Sequence, residues 1–194
     1  VRTTVTIDDE LLRRAETLSA TKDRGEVIRE GVRTLVRVES ARRLAALGGD
    51  RAGRVSSAEA PRRWLDRGRL VILVDTSVWI DHFHRVVPAL VDQLERDEVG
   101  CHPLVIEELA LGSIPQRDQV LEDLDALHGF PVLTHHELLS TVGRWRLWGR
   151  GLSAVDVHLL GSVALRPGAM LWTRDRRMNL AAEEMGVRPV SSEQ

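Results

Sequence analysis

LVILVDTSVWID (70–81) is the stretch on which the reading of the fold turns. A strand with one wet face alternates apolar and polar residues, whereas the unbroken run Leu70–Val74 suits a strand covered on both faces. Covering both faces takes helices on each side, so the run points to a mostly parallel α/β sheet. Asp75 follows at the carboxyl end of that strand, where open parallel sheets bind their ligands.

Downstream the same rhythm continues. Helical patterns fall at 77–83, 87–97, 103–111, 115–127, 135–149, 153–165 and 176–185, and strand candidates at 99–102, 131–133, 169–172 and 187–190. This alternation carries the α/β assignment to the end of the chain.

Upstream the chain is different. Residues 1–69 hold 16 Lys/Arg against 11 Asp/Glu, and residues 70–194 hold 11 against 18, so a basic segment precedes an acidic one. The two halves attract each other and suit different tasks. Residues 1–7 alternate, with Arg2, Thr4 and Thr6 on one face, as in a short strand. Asp8 is placed to cap one helix, and Asp23 with Glu26 forms a capping-box pattern before a second that runs toward Leu47. Gly48-Gly49 breaks it, and GGDRAGRVSSAEAPRRWLDRGR (48–69) reads as a linker or a peptide that needs a partner. The organisation is thus a small module over 1–47, a linker over 48–69 and a larger domain over 70–194.

One strand and two helices cannot close a core alone. Two copies pairing their strands as a ribbon can, which calls for a homodimer or higher homo-oligomer. The ribbon would display Arg2, Thr4 and Thr6 twice, and a two-stranded ribbon fits the major groove of DNA, where Arg reads guanine in a bidentate way. Thr21, Lys22 and Gly25 begin the second helix and can meet a phosphate.

In the larger domain four acids interrupt apolar surroundings. Asp75 and Asp175 end strands, and Glu108 and Asp156 lie on helices. Each has an ordinary reading as a helix cap or a surface acid. Together they suggest a bound hard cation, Mg²⁺ or Mn²⁺, because the only lysine of the chain, Lys22, lies in the other module. The missing lysine also argues against a haloacid-dehalogenase-like phosphatase and a response-regulator receiver, which need one at the site. A single cysteine, Cys101, excludes an intramolecular disulfide and fits a reducing cytoplasm. No apolar run approaches the ~20 residues of a membrane span, so no membrane partner is expected. No secretory leader is visible, and Val1 and Val71 each fit a GTG start written as valine.

Residues 2–49 resemble a VapB-type ribbon-helix-helix antitoxin. Residues 70–194 resemble the PIN-domain nucleases, in particular the VapC ribonuclease toxins, through VILVDTSVWID, EELALG, LSAVDVHLLGSVAL and LWTRDRRMNL. The resemblance implies Mg²⁺-dependent phosphodiester hydrolysis of RNA. Asp75, Glu108, Asp156 and Asp175 would serve as catalytic metal ligands, and Thr76, Ser77 and Thr173 as accessory polar groups. Arg177 and Met178 stand where many relatives carry an acid or an aromatic, which bears on a second metal site. The implied partners are an RNA substrate and operator DNA. Relatives of this kind neutralise the nuclease with a C-terminal antitoxin arm, and here Arg62 and Arg63 beside Trp64 are the expected inhibitory residues, with Arg51 and Arg54 as alternatives. Arg174, Arg176 and Arg177 are candidates to hold the RNA backbone, and Trp145 and Trp148 to pack a core or stack bases. The competing reading is a DNA-binding autorepressor whose nuclease-like half is blocked or inactive.

Overall fold

The computed structural model describes residues 4–19, 21, 23–48 and 70–190. Arg2, Lys22, Arg51, Arg54, Arg62, Arg63 and Trp64 lie outside the described residues. In chain order the elements are α1 (Asp9–Leu18), α2 (Arg24–Leu47), β1 (Ile72–Val74), α3 (Thr76–His84), α4 (Pro88–Glu95), β2 (Val99–Cys101), α5 (Pro103–Ala110), α6 (Arg117–Asp125), β3 (His128–Gly129), α7 (His135–Trp145), α8 (Ala154–Ala164), β4 (Met170–Trp172), α9 (Arg176–Glu184) and β5 (Arg188–Pro189).

Among the described residues the five strands form one sheet in the order β3-β2-β1-β4-β5, with every pair parallel. The continuous apolar run explains its centre: β1 is wholly buried, between β2 and β4. From β1 the chain moves one way to β2 and β3, then returns to the other side of β1 for β4 and β5. The carboxyl ends of β1 and β4 therefore form the topological switch point, where a crevice opens.

Three local expectations need correction. The strand expected at 131–133 lies instead at His128–Gly129. Phe130 gives its N–H to Cys101 O at 3.0 Å, and Pro131 then has no N–H with which to extend the ladder. The helix expected to reach 149 stops at Trp145, because Arg146 turns left-handed with φ 50°. Trp145 and Trp148 thus do not share a helix face. Residues 4–7 are not in a strand, and among the described residues no strand pairs with them.

Asp8 caps α1 by accepting from the Glu10 and Leu11 N–H groups at 3.0 and 2.9 Å. Asp23 caps α2 through Glu26 N–H at 2.7 Å. Glu26 does not complete the box; its carboxylate pairs with Arg29 at 2.6 Å, while Asp23 N–H donates to Thr21 Oγ1 at 3.2 Å. In α1 and the first half of α2 only Leu12 and Val27 are buried, whereas Val5, Leu11, Leu18, Val32, Leu35 and Val36 are exposed.

The second half of α2 behaves differently. Ala41 and Leu44 belong to the same apolar core as β1, α4 and α6. Arg37 forks onto Asp97, with Nε–Oδ1 at 2.9 Å and Nη2–Oδ2 at 3.2 Å. Arg43 grips Asp123 through Nε, at 3.0 and 2.9 Å to the two oxygens, and through Nη2. Leu44 O, one of the carbonyls a helix end leaves unpaired, lies 3.0 Å from His82 Nε2. Val87 N–H donates to His82 Nδ1, so Nε2 carries the proton given to Leu44 O. Gly48 closes over the imidazole: a Cβ there would stand 2.4 Å from His82 Cε1. The glycine that ends α2 is thus required by close packing, since its φ is −75°.

Candidate active site

The site is built where β1 and β4 end. Asp75 is the N-cap of α3, accepting from Ser77 N–H at 3.3 Å, and is 8% exposed. Its Oδ2 also accepts from Ser77 Oγ at 2.5 Å and from Thr173 Oγ1 at 2.8 Å. Two further bonds fix these hydroxyls, the first across the strand ends and the second within the turn after β4. Arg174 N–H donates to Ser77 Oγ at 3.1 Å, and Asp175 N–H to Thr173 Oγ1 at 3.0 Å. Each hydroxyl accepts from a backbone amide and donates to Asp75, which fixes both the rotamers and the carboxylate plane.

Glu108 comes from α5, which packs on α3. Thr76 Oγ1 donates to Glu108 Oε2 at 2.6 Å, so consecutive residues of α3 and its cap reach both carboxylates. Asp156 is the third residue of α8 and completes a capping box, with its Oδ2 2.6 Å from Ser153 N. Asp175 is the N-cap of α9. Its Oδ1 accepts from Arg177 N–H and Nε at 2.7 and 3.2 Å, and its Oδ2 from Arg177 Nη2 at 2.7 Å. The Arg177 hydrogen bond holds the Asp175 carboxyl below the usual carboxylate range, against the effect of partial burial.

The ordinary readings and the functional ones therefore coexist. Asp75 and Asp175 do cap helices, and Asp156 is half of a capping box. The caps hold these three acids at the crevice end of their elements. The expectation of four acids without matching lysines left arginine out of account: Arg177 holds Asp175. Among the described residues Asp75, Glu108 and Asp156 have no ion pair. Among the described residues no three His, Cys, Asp or Glu side chains stand close enough to hold one ion as a closed cage. Asp75, and Glu108 held by the neighbouring Thr76, suit a hard cation bound by two carboxylates and otherwise by water, as Mg²⁺ prefers.

Other candidates separate. Arg174 pairs with Asp81 at 3.1 Å, and Arg176 is exposed. His82 is a buried residue hydrogen-bonded to Leu44 O and takes no part in the site. The grip of α2 on Asp97 and Asp123 was not apparent from the sequence, since each residue reads there as an ordinary surface charge.

Residues 72–184 match the PIN-domain family model. The chain belongs to the PIN-domain family. Residues 1–47 match the model for the bacterial antitoxin of type II TA systems, VapB. Ribonuclease VapC32 of Mycobacterium tuberculosis strain H37Rv is 65% identical over 117 residues, which cover 60% of this chain and 94% of that protein. Antitoxin VapB32 of the same strain is 56% identical over 63 residues, 32% of this chain and 92% of that protein. Two proteins with separate names thus match this chain over nearly their whole lengths, and the chain is a VapB–VapC fusion. Its PIN domain carries the crevice just described, and the helix α2 that enters the PIN core belongs to the VapB module. Among the described residues no helix is long and apolar enough to cross a membrane.

Proposed function

We propose that the PIN domain is an Mg²⁺- or Mn²⁺-dependent endoribonuclease, held inhibited in the intact chain by the VapB part, which also binds operator DNA as a dimer. The observation that carries the nuclease reading is the carboxylate pair Asp75 and Glu108 at the switch point, with Glu108 held by the neighbouring Thr76 and neither paired with a cation among the described residues. Asp75 and Glu108 would hold the ion, with Asp156 and Asp175 acting through water. When bound, the ion supplies an activated water and neutralises charge on the scissile phosphate. Ser77 and Thr173 both donate to Asp75 Oδ2. They hold its carboxylate still and leave Oδ1 without a hydroxyl donor among the described residues. Arg176, exposed at the start of α9, is suited to the RNA backbone.

The inhibitory reading has two parts. The second half of α2 anchors the VapB module to the PIN domain, away from the crevice. Arg62, Arg63 and Trp64 stand six to eight residues before Leu70, so they stay within ~20–29 Å of it, against ~17 Å from Leu70 to Asp75 along the strand, a tether long enough to bring them to the carboxylates. The exposed apolar residues Val5, Leu11, Leu18, Val32, Leu35 and Val36 support a second copy as the partner of the first module. Arg2, Thr4, Thr6 and Lys22 would then meet DNA.

The test is RNA cleavage by the full chain before and after proteolytic cutting between Gly48 and Arg69, with and without Mg²⁺. Release of Mg²⁺-dependent cleavage on cutting, abolished by Asp75→Asn, is the expected result. An uncut chain as fast as the cut one overturns the inhibition. Cleavage undiminished in Asp75→Asn overturns the site. A cut chain that binds operator DNA and never cleaves RNA supports the autorepressor instead, a reading favoured by the neutralisation of Asp175 by Arg177.

A further inference from the structure

The four acids of the crevice are not equivalent. Asp75 and Glu108 receive only hydroxyl and amide donors among the described residues: Ser77 and Thr173 on one, Thr76 on the other. Asp175 is met by a guanidinium across both oxygens, the bidentate geometry in which arginine binds carboxylates most strongly. Asp156 lies in the first turn of α8, and the loop leading into that helix packs on the same guanidinium through Gly151. One side of the crevice is thus charge-compensated from within the chain, and the other is not.

The position of Arg177 is built in. The loop before α8 brings Gly151 against it, with φ +74°, where a Cβ would stand 2.8 Å from Arg177 Nη1 and 3.5 Å from Cδ. A side chain at 151 would strain the backbone and press on the guanidinium. The same loop leads into Ser153 and the Asp156 capping box, so Arg177 bridges the start of α9 to the start of α8. Arginine stays charged at any accessible pH, and its fork cannot be titrated away. A divalent ion seated at Asp175 would have to displace it. Asp175 uses Nε and one Nη2 hydrogen, two of the five N–H donors of the guanidinium. The side chain is 59% exposed, which leaves the others facing the crevice rim or water.

On the reading that this crevice holds a divalent ion, we infer that Arg177 is a built-in counter-cation that takes the place of a second metal ion at Asp175 and Asp156. The PIN domain then binds a single divalent ion, at Asp75 and Glu108. The charge that a second ion would bring to the phosphate comes from the donors of Arg177 that Asp175 does not use. Arg177 would thus act directly, with Asp175 and the Gly151 loop holding it in place and its free donors turned to the phosphate.

The experiment is Mn²⁺ binding to the full chain, cut in the linker so that the arm can leave, followed by calorimetry and by the Mn²⁺ electron paramagnetic resonance signal. Four proteins are compared: the unaltered chain, Arg177→Gln, Arg177→Lys and Asp75→Asn. Their thermal unfolding confirms that each is folded; Arg177 is half-exposed, so its variants keep the core. The expected result is one Mn²⁺ per chain for the unaltered protein and for Arg177→Lys, a second for Arg177→Gln, and none for Asp75→Asn. Two ions in the unaltered chain, or no gain in Arg177→Gln while Asp75→Asn abolishes binding, overturn the role of Arg177 alone. Binding of no Mn²⁺ by the unaltered chain, or binding indifferent to Asp75→Asn, overturns the metal-site reading and this inference with it.

Discussion

Arg43→Ala should separate the VapB module from the PIN domain more effectively than any change in the exposed first half of α2. Asp123 is 1% exposed, and Arg43 Nε lies 3.0 and 2.9 Å from its two oxygens. Beyond Arg43, among the described residues Asp123 has Gln119 Nε2 at 3.4 Å, a long and weak donor. Truncating Arg43 therefore leaves a buried carboxylate almost unsatisfied. Breaking a fully buried pair by removing one partner costs ~3–5 kcal/mol. The Arg43 side chain is 50% exposed, so water can reach the vacated space, and the expected cost falls to about 2–3 kcal/mol. For a chain of this size that lowers the thermal midpoint by roughly 4–12 °C. In the linker-cut protein it weakens the hold of α2 on the PIN domain by roughly 30–150-fold. Urea unfolding and titration calorimetry measure the two effects. The double variant Arg43→Ala/Asp123→Ala should be less destabilised than the sum of the singles, because no orphan charge remains. A loss within about 0.5 kcal/mol for Arg43→Ala, or strict additivity in the cycle, would refute the assigned role of the pair.

Acid should destabilise the protein in two stages. Burial lowers the pKa of His82, and that of His102 to about 4, so the unfolded chain takes up protons below about 6.5 that the folded chain refuses, and stability falls from there. Burial alone would raise Asp97, but hydrogen bonds from His128 and Arg37 hold it at about 2, so its contribution is present above 3.8 and lost toward 2. A thermal midpoint constant from pH 7 to pH 4 would contradict this. Cys101 is buried and its thiol is pushed up to about 12 by desolvation, so thiol reagents should modify it only on unfolding; rapid native-state labelling would show the packing to be wrong. Gly48→Ala puts a methyl group into the His82 ring at 2.4 Å and should cost ~1–3 kcal/mol, read by urea unfolding, whereas Gly143→Ala, with open space around it, should not destabilise.

Much of the chain was legible one segment at a time. Caps at Asp8 and Asp23, the apolar run into β1, and the order of strands and helices depend on neighbours a few residues away, and such neighbours are written in the sequence. The four acids could be named for the same reason, because each sits in a short motif at the end of a strand or on a helix. Where local geometry ran out, so did the reading. The strand after α6 shifted because a hydrogen bond from Phe130 to Cys101, 29 residues back, set its register.

What the sequence by itself determined is therefore the inventory: an α/β domain after a strand-like segment and two helices, with acids at the ends of its elements. Only the tertiary structure decided which of these groups meet. It set β1 beside β4, so that Thr173 could bind Asp75 from 98 residues away, and it assigned Arg177 to Asp175 while Glu108 kept a hydroxyl. It also divided α2, one continuous helix, into a half with exposed apolar residues and a half inside the PIN core, anchored by Asp97 and Asp123 from 60 and 80 positions away. The physical reason is that a charge carries no mark of its own burial. Arg37, Arg43, Asp97 and Asp123 look like any surface residues until packing removes the water around them, and then the energy of each depends on a partner that only the fold supplies.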